Sequence, residues 1–208
     1  MISGLYAVTR ETDDTGVLLA AVAAALRGGA AAVQYRDKSG DIARQHEQAS
    51  ELVALCGRNN IPLIVNDSLR LADLVGADGV HLGSGDGNVR EARIVLGYDK
   101  IIGVSCYQSL DLALAAQQAG ADYVAFGRFF PSVTKPDAVR AELGLLRQAA
   151  RVIHRPIVAI GGVTLQNAES LIMAGADAIA VIGGLFDSGD IETTAYQFTD
   201  LFIDETEE

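Results

Sequence analysis

The chain has 208 residues, half of them hydrophobic, and sets 16 basic against 27 acidic side chains for a formal net charge of −11. A chain of this size buries about 70% of its unfolded surface, so it needs no disulfide or metal staple, and it is too apolar to be disordered. The acidic balance excludes the basic face of a non-specific nucleic-acid binder, and no apolar run of roughly 18 residues offers a membrane span. Taken in chain order, apolar runs at 5–8, 31–35, 63–65, 79–82, 101–105, 123–126, 157–160 and 178–182 predict eight strands. Helical patterns at 17–27, 42–59, 69–75, 89–96, 110–119, 138–153, 165–174 and 193–203 follow them one by one. Most runs are apolar at successive positions and rich in Val and Ile, which suits strands buried on both faces of a parallel sheet. In the second helix Leu52, Val53, Leu55 and Cys56 share one face, while Arg44, Glu47, Glu51 and Arg58 can face water. Eight strand–helix pairs in about 200 residues are the minimum for a closed (β/α)8 TIM barrel, the expected α/β fold.

A repeat supports closure. Gly-Ala-Asp stands at 76–78, 120–122 and 175–177, each time between a helix and a strand, and Gly29-Ala30-Ala31 holds the equivalent place before the second strand. The glycine suits a left-handed helix stop. Odd strands are entered through Ile61-Pro62, Lys100-Ile101 and Arg155-Pro156. A two-unit period repeated four times fits barrel symmetry better than an open sheet. No Pro- or Ser-rich linker divides it, so one domain over 1–208 is expected, its acidic tail 204–208 frayed. Residues 1–10 lack the basic and apolar regions of a signal peptide. Cys56 and Cys106 form no CxxC pair, and a cytoplasmic location is expected.

In such barrels the active site lies at the C-terminal ends of the strands. After the second strand, alternation sends Gln34, Arg36 and Lys38 to one side. Two cations and an amide suit a phosphate and a neutral ring, although an ordinary charged loop reads the same way. Asn66-Asp67 follows the third strand and Gly83-Ser84-Gly85-Asp86 the fourth. Carboxylates at adjacent strand ends suit one Mg2+ shared with substrate phosphate. A helix N-cap for Asp67 and an Asx turn for Asp86 are the alternatives. Ser105 can donate to a phosphate but lacks the Gly-x-Ser-x-Gly context of a nucleophile, and Cys106 reads as a small buried hydrophobe. The loop after the sixth strand, 127–136, has the length of a lid or binding loop. Its Ser132, Thr134 and Lys135 suit a phosphate clamp, and the adjacent Phe129 and Phe130 can cover a site. Gly161-Gly162 and Gly183-Gly184 follow the seventh and eighth strands, the usual barrel phosphate site, where glycine lets backbone N–H groups approach an anion. His46 and His154 fall on helical surface patterns, and His81 reads as structural. No zinc-spaced cluster, GxGxxG or Walker loop is present.

These segments resemble the thiamine phosphate synthase family over essentially the whole chain. The resemblance rests on Val33-Gln34-Tyr35-Arg36-Asp37-Lys38, Val65-Asn66-Asp67, the stretch 76–83 leading to Asp86, and Gly103-Val104-Ser105. It continues through Phe130-Pro131-Ser132-Val133-Thr134-Lys135, Ala159-Ile160-Gly161-Gly162-Val163 and Ala180-Val181-Ile182. It implies a Mg2+-dependent transferase joining 4-amino-2-methyl-5-(diphosphooxymethyl)pyrimidine to 4-methyl-5-(2-phosphooxyethyl)thiazole, with pyrophosphate released. It further implies that Gln34 meets the aminopyrimidine and that Arg36, Lys38, Asn66, Ser105 and Lys135 hold the diphosphate. Asp67 and Asp86 would hold Mg2+, and Ser132, Thr134, Gly162, Ile182 and Gly183 the thiazole phosphate. Tyr35, Arg128, Ser132 and Gly183 depart from the family's commoner Leu, Pro, Thr and Ser. The change at Gly183 puts a side-chain contact to that phosphate in doubt, but not the backbone one.

Pyrophosphate leaves a carbon whose cation the 4-amino group stabilises, so the site must mainly stabilise the leaving charge, with no nucleophile or positioned histidine. The implied partners are these small molecules, without nucleic acid or membrane, and a homo-oligomer is compatible with the reading. Rival readings are a thiazole tautomerase-like sister protein, which would not need Gln34, Arg36, Lys38, Asp67 and Asp86 together, and another phosphate-binding barrel isomerase, which would want an acid–base pair. A non-catalytic sensor of thiamine phosphates would not need the full cationic set.

Overall fold

The computed structural model describes residues 2–131 and 141–203. Eight parallel strands close a barrel in sequence order: β1 (Gly4–Val8), β2 (Ala32–Tyr35), β3 (Leu63–Asn66), β4 (Gly79–Leu82), β5 (Ile101–Tyr107), β6 (Tyr123–Phe126), β7 (Ile157–Ile160) and β8 (Ala178–Val181). The helices between and after them are α1 (Thr15–Arg27), α2 (Ile42–Arg58), α3 (Leu69–Val75), α4 (Val89–Leu96), α5 (Leu110–Gln118), α6 (Leu143–Val152), α7 (Leu165–Ile172), α8 (Gly183–Phe186) and α9 (Ile191–Asp200). This is the expected TIM barrel. Two elements depart from the sequence pattern. Helix α6 begins at Leu143, because Glu142 is extended at φ −101°, ψ 152°. The four-residue α8 is too short for any periodicity to mark.

The Gly-Ala-Asp repeat has a physical cause. Gly76 ends α3 in the left-handed region at φ 69°, where a Cβ would be strained. Two residues later the Asp carboxylate reaches back to the preceding odd strand. Asp78 accepts the Leu63 N–H at 2.9 Å, Asp122 the Ile102 N–H at 2.7 Å and Asp177 the Ile157 N–H at 2.7 Å. Each carboxylate thus satisfies a strand-entry donor that would otherwise be left without a partner. At the fourth place Ala31 has no such side chain and keeps only its backbone bond to the Leu5 carbonyl.

Strand alternation builds the interior. Tyr6, Val8, Ala32, Ile64, Tyr123, Ala125, Val158, Ala178 and Ala180 form one buried cluster inside the barrel. The intervening residues pack outward against the helices, in a cluster with Leu146, Leu171 and Phe198 among its members. Small inward residues leave room for two aromatic rings, Tyr6 and Tyr123, which meet edge to face with centroids 5.9 Å apart. Gly103 is one of these small positions, since a Cβ there would fall inside the Tyr123 ring. Gly103→Ala is therefore expected to destabilise the fold by about 3 kcal/mol through overpacking, read as a lower Tm. An unchanged Tm would mean that the ring is free to move.

Candidate active site

The strand C-terminal ends surround a cavity of about 340 Å³. Of the residues singled out in the sequence, Gln34, Arg36, Lys38, Asn66, Asp67, Asp86, Ser105 and Ile182 line it. A larger hollow of about 790 Å³ opens at the opposite end of the barrel, beside Tyr98, His154 and Arg155, and none of the expected site residues lines it. The charged residues lining the strand-end cavity are Arg36, Lys38 and Arg128 against Asp67 and Asp86, a local positive excess in a chain of net charge −11. Such local fields, not the net charge, act on a bound anion.

The loop after β2 is held by its neighbours and not by its own cations. The Arg36 N–H donates to Thr9 Oγ1 at 2.9 Å, and the Lys38 N–H donates to Glu11 Oε2 at 3.0 Å. Asp37 points away from the cavity, where Arg44 Nε donates to it at 3.1 Å. Arg44, expected to face water, is drawn back by this pair. Tyr35 packs outward between the barrel and α1 and α2, where an apolar residue would sit, and donates its hydroxyl to the buried Gln48 Oε1 at 2.9 Å. A polar group in place of the family's usual Leu is thereby satisfied.

Asp67 is not a helix cap. Ser68 caps α3 by accepting the Leu71 N–H at 3.1 Å, while Asp67 stands in the left-handed region at φ 64°. A non-glycine residue there is uncommon and marks a backbone set by its surroundings. Lys38 Nζ lies 3.1 Å from Asp67 Oδ2. The pair is part-exposed and contributes little to stability. Asp86 does not make the forward contact of an Asx turn here but reaches back to accept the Gly83 N–H, three residues earlier, at 2.8 Å. Burial, with Asp67 facing it, holds the Asp86 carboxyl above the ordinary carboxylate range despite that N–H and Lys38. Two facing carboxylates of this kind favour a shared hard cation. Among the described residues no group of three or more His, Cys, Asp or Glu could cage a metal alone. The donor set therefore fits Mg2+, which takes its other ligands from water and phosphate.

Behind the cavity runs a chain of hydrogen bonds that sequence reasoning missed. Gln34 Nε2 donates to the Tyr6 hydroxyl at 3.0 Å, and the Tyr6 and Tyr123 hydroxyls are 2.9 Å apart. Tyr123 OH lies 2.9 Å from His81 Nδ1, and His81 Nε2 lies 2.8 Å from Ser105 Oγ. The His81 ring also stacks on Tyr123 at 5.5 Å. The expectation that the site holds no positioned histidine is thus corrected. The signal was present: Gln34, His81 and Ser105 occupy inward positions on β2, β4 and β5, and the inward Tyr6 and Tyr123 are their partners. Burial pushes both tyrosine hydroxyls up, so they stay protonated. Regular alternation sets Ser105 inward opposite Ala125, and an irregularity just after it, in β5 between Ser105 and Tyr107, brings Tyr107 opposite Phe126. Cys106 is buried, its thiol pushed up to about 12 by that burial. Tyr107 OH accepts the Ser84 N–H at 3.1 Å and so pins the loop that carries Asp86.

Ser132, Thr134 and Lys135 lie outside the described residues. Phe129 and Phe130 do not cover the cavity. Phe129 is buried in the outer core and Phe130 packs against it, because their N–H groups donate to the Ile160 and Gly161 carbonyls and hold the segment along β7. Gly162 and Gly183 do not line the cavity itself. Among the described residues the Gly162 N–H has no protein acceptor, and its φ of 66° is left-handed.

Comparison with known proteins follows the same lines. The family model described as thiamine monophosphate synthase matches residues 5–185. A thiamine-phosphate synthase from Thiobacillus denitrificans is 64% identical over 205 residues, covering 99% of this chain and 97% of that protein. One from Methylobacillus flagellatus is 54% identical over 201 residues, covering 97% and 96%. The structure of a thiamine phosphate pyrophosphorylase from Pyrococcus furiosus superposes with a TM-score of 0.85 at 32% identity, over 95% of this chain and 94% of that one.

Proposed function

Since the chain belongs to the thiamine monophosphate synthase family and is a transferase of thiamine biosynthesis, we propose that its strand-end cavity joins the aminopyrimidine diphosphate to the thiazole phosphate. The observation that carries this is the convergence of an amide, two cations, two carboxylates and a serine from four successive strand ends on one cavity. Gln34 meets the pyrimidine ring. Arg36, Lys38, Asn66 and Ser105 face the diphosphate, and Lys135, which lies outside the described residues, is assigned to it with them. Asp67 and Asp86 are the residues that would hold Mg2+, and the metal would supply neutralisation of charge on the leaving pyrophosphate. The preorganised donors add to that neutralisation in a site where they need no reorganisation. The bond from the pyrimidine's exocyclic methylene carbon to the diphosphate oxygen breaks with its electron pair going to pyrophosphate, and the thiazole nitrogen then bonds to that carbon. Holding the two rings in line supplies much of the remaining acceleration.

The thiazole phosphate is assigned to Ser132, Thr134, Gly162, Ile182 and Gly183. Substitution at Gly162 would strain its left-handed backbone and bring a Cβ to 2.8 Å from the Phe130 carbonyl oxygen, so it cannot separate binding from folding. Gly183 can. A Cβ there would meet only the Asp187 carboxylate at 2.8 Å, the end of a flexible side chain. Gly183→Ser, which restores the family's commoner hydroxyl, is expected to lower KM for the thiazole phosphate about tenfold, with kcat and Tm near wild type, equivalent to about 1.4 kcal/mol of binding. An unaltered KM would mean that no side chain at this position reaches the phosphate. The whole reading is tested by incubating the protein with both substrates, with and without Mg2+, while following pyrophosphate and thiamine phosphate together. Equal release of both supports it. Failure to form either from the intact protein would refute it.

A further inference from the structure

We propose that the chain from Gln34 through Tyr6, Tyr123 and His81 to Ser105 couples recognition of the ring's exocyclic amine to the leaving-group donor, making the middle three positioning residues. The inference rests on the reading above of Gln34 and Ser105. It follows from counting protons. A tyrosine hydroxyl has one proton to give. Tyr6 OH accepts from Gln34 Nε2, so its own proton goes to Tyr123 OH. Tyr123 OH, having accepted one bond, gives its proton to His81 Nδ1. His81 is therefore neutral with its proton on Nε2, and that proton goes to Ser105 Oγ. The Ser105 proton is left for the cavity, where Ser105 stands among the residues assigned to the diphosphate. At the other end, Gln34 Oε1 is left as an acceptor for an amine.

Every link can be reversed, but only together. A ring carrying an oxygen in place of the amine would call for the Gln34 N–H groups. Tyr6 would then donate to Gln34 Oε1, Tyr123 to Tyr6, and His81 Nδ1–H to Tyr123. Ser105 would give its proton to His81 Nε2 and have none for the diphosphate. The wrong ring thus loses a contact at one end and the leaving-group donor at the other. Both tyrosines lie inside the barrel at 1% and 0% exposure, so water does not offer the chain a substitute partner.

Two measurements test this. The first uses 15N-histidine NMR of the substrate-free protein, with the exposed His46 and His154 replaced by Gln so that His81 is the single reporter. A proton on Nε2 is expected, and a proton on Nδ1 would overturn the proposed direction. The second is a cycle of Ser105→Ala and Tyr123→Phe. Each is expected to lower kcat about 100-fold, as loss of one preorganised donor does, with KM for the thiazole phosphate unchanged. The double variant should fall no further than about threefold below either, because both remove the same donor. Independent losses multiplying to about 10⁴-fold would overturn the coupling. Should the wild type release no pyrophosphate, the functional reading fails, while the NMR result still decides the chain on its own.

Discussion

Replacing both Asp67 and Asp86 with Asn is expected to lower turnover by about three decades, or several kcal/mol of transition-state stabilisation, and to erase the Mg2+ dependence of pyrophosphate release. The same variant is expected to unfold no earlier than wild type. The sign follows from Asp86, whose carboxyl is raised by burial and by Asp67. A raised value means that the folded chain binds this proton more tightly than the unfolded one. That contribution is fully present below the unfolded value and is lost as pH rises through the raised one. At neutral pH the charged pair therefore opposes folding, and removing the charges relieves it. Steady-state rates over a Mg2+ titration and thermal unfolding at pH 7 check both halves. Retained Mg2+ dependence would put the metal elsewhere, and a large drop in Tm would make the carboxylates structural. Lost activity with an undiminished Tm is the mark of groups kept for function at a cost in stability.

The barrel was legible because its strands are buried on both faces and its helices on one, so each writes its own period into the sequence. The Gly-Ala-Asp repeat was visible as a pattern, yet its meaning was not. The Asp carboxylates reach N–H groups on strands 15 to 20 residues earlier, a contact that no local reading supplies. The strand-end residues were legible for a similar reason: Gln34, Arg36, Asp67 and Asp86 interrupt apolar runs where a barrel opens. Tyr6 and Tyr123 were hidden because an inward tyrosine in an apolar strand reads as core until its hydroxyl finds a partner. Phe129 and Phe130 misled in the opposite direction. Adjacent aromatics in a long loop look like a cover, but here backbone bonds to Ile160 and Gly161 lay the loop along β7 and send both rings against the outer core.

Arg36→Ala is expected to lower kcat by about 10²- to 10³-fold, the range for loss of one strong preorganised donor, while Tm stays within error of wild type. The structure separates the two effects. The loop is anchored through the Arg36 backbone, whose N–H donates to the buried Thr9 Oγ1 at 2.9 Å. The guanidinium has no carboxylate partner among the described residues, so its removal breaks no internal ion pair. Its planar fork matches a phosphate in two places at once, which an ammonium cannot do. Arg36→Lys should accordingly recover no more than about tenfold of the loss. Thr9→Val probes the same residue from behind. It keeps the side-chain shape, leaves the Arg36 N–H unpaired at a cost of about 1–3 kcal/mol, and releases the loop that aims the guanidinium. It is expected to raise KM for the pyrimidine diphosphate and to lower kcat together, because both depend on where Arg36 points. A fully active Arg36→Lys would show that charge alone suffices, and a near-normal Arg36→Ala would leave Lys38 and the metal to stabilise the leaving group without it.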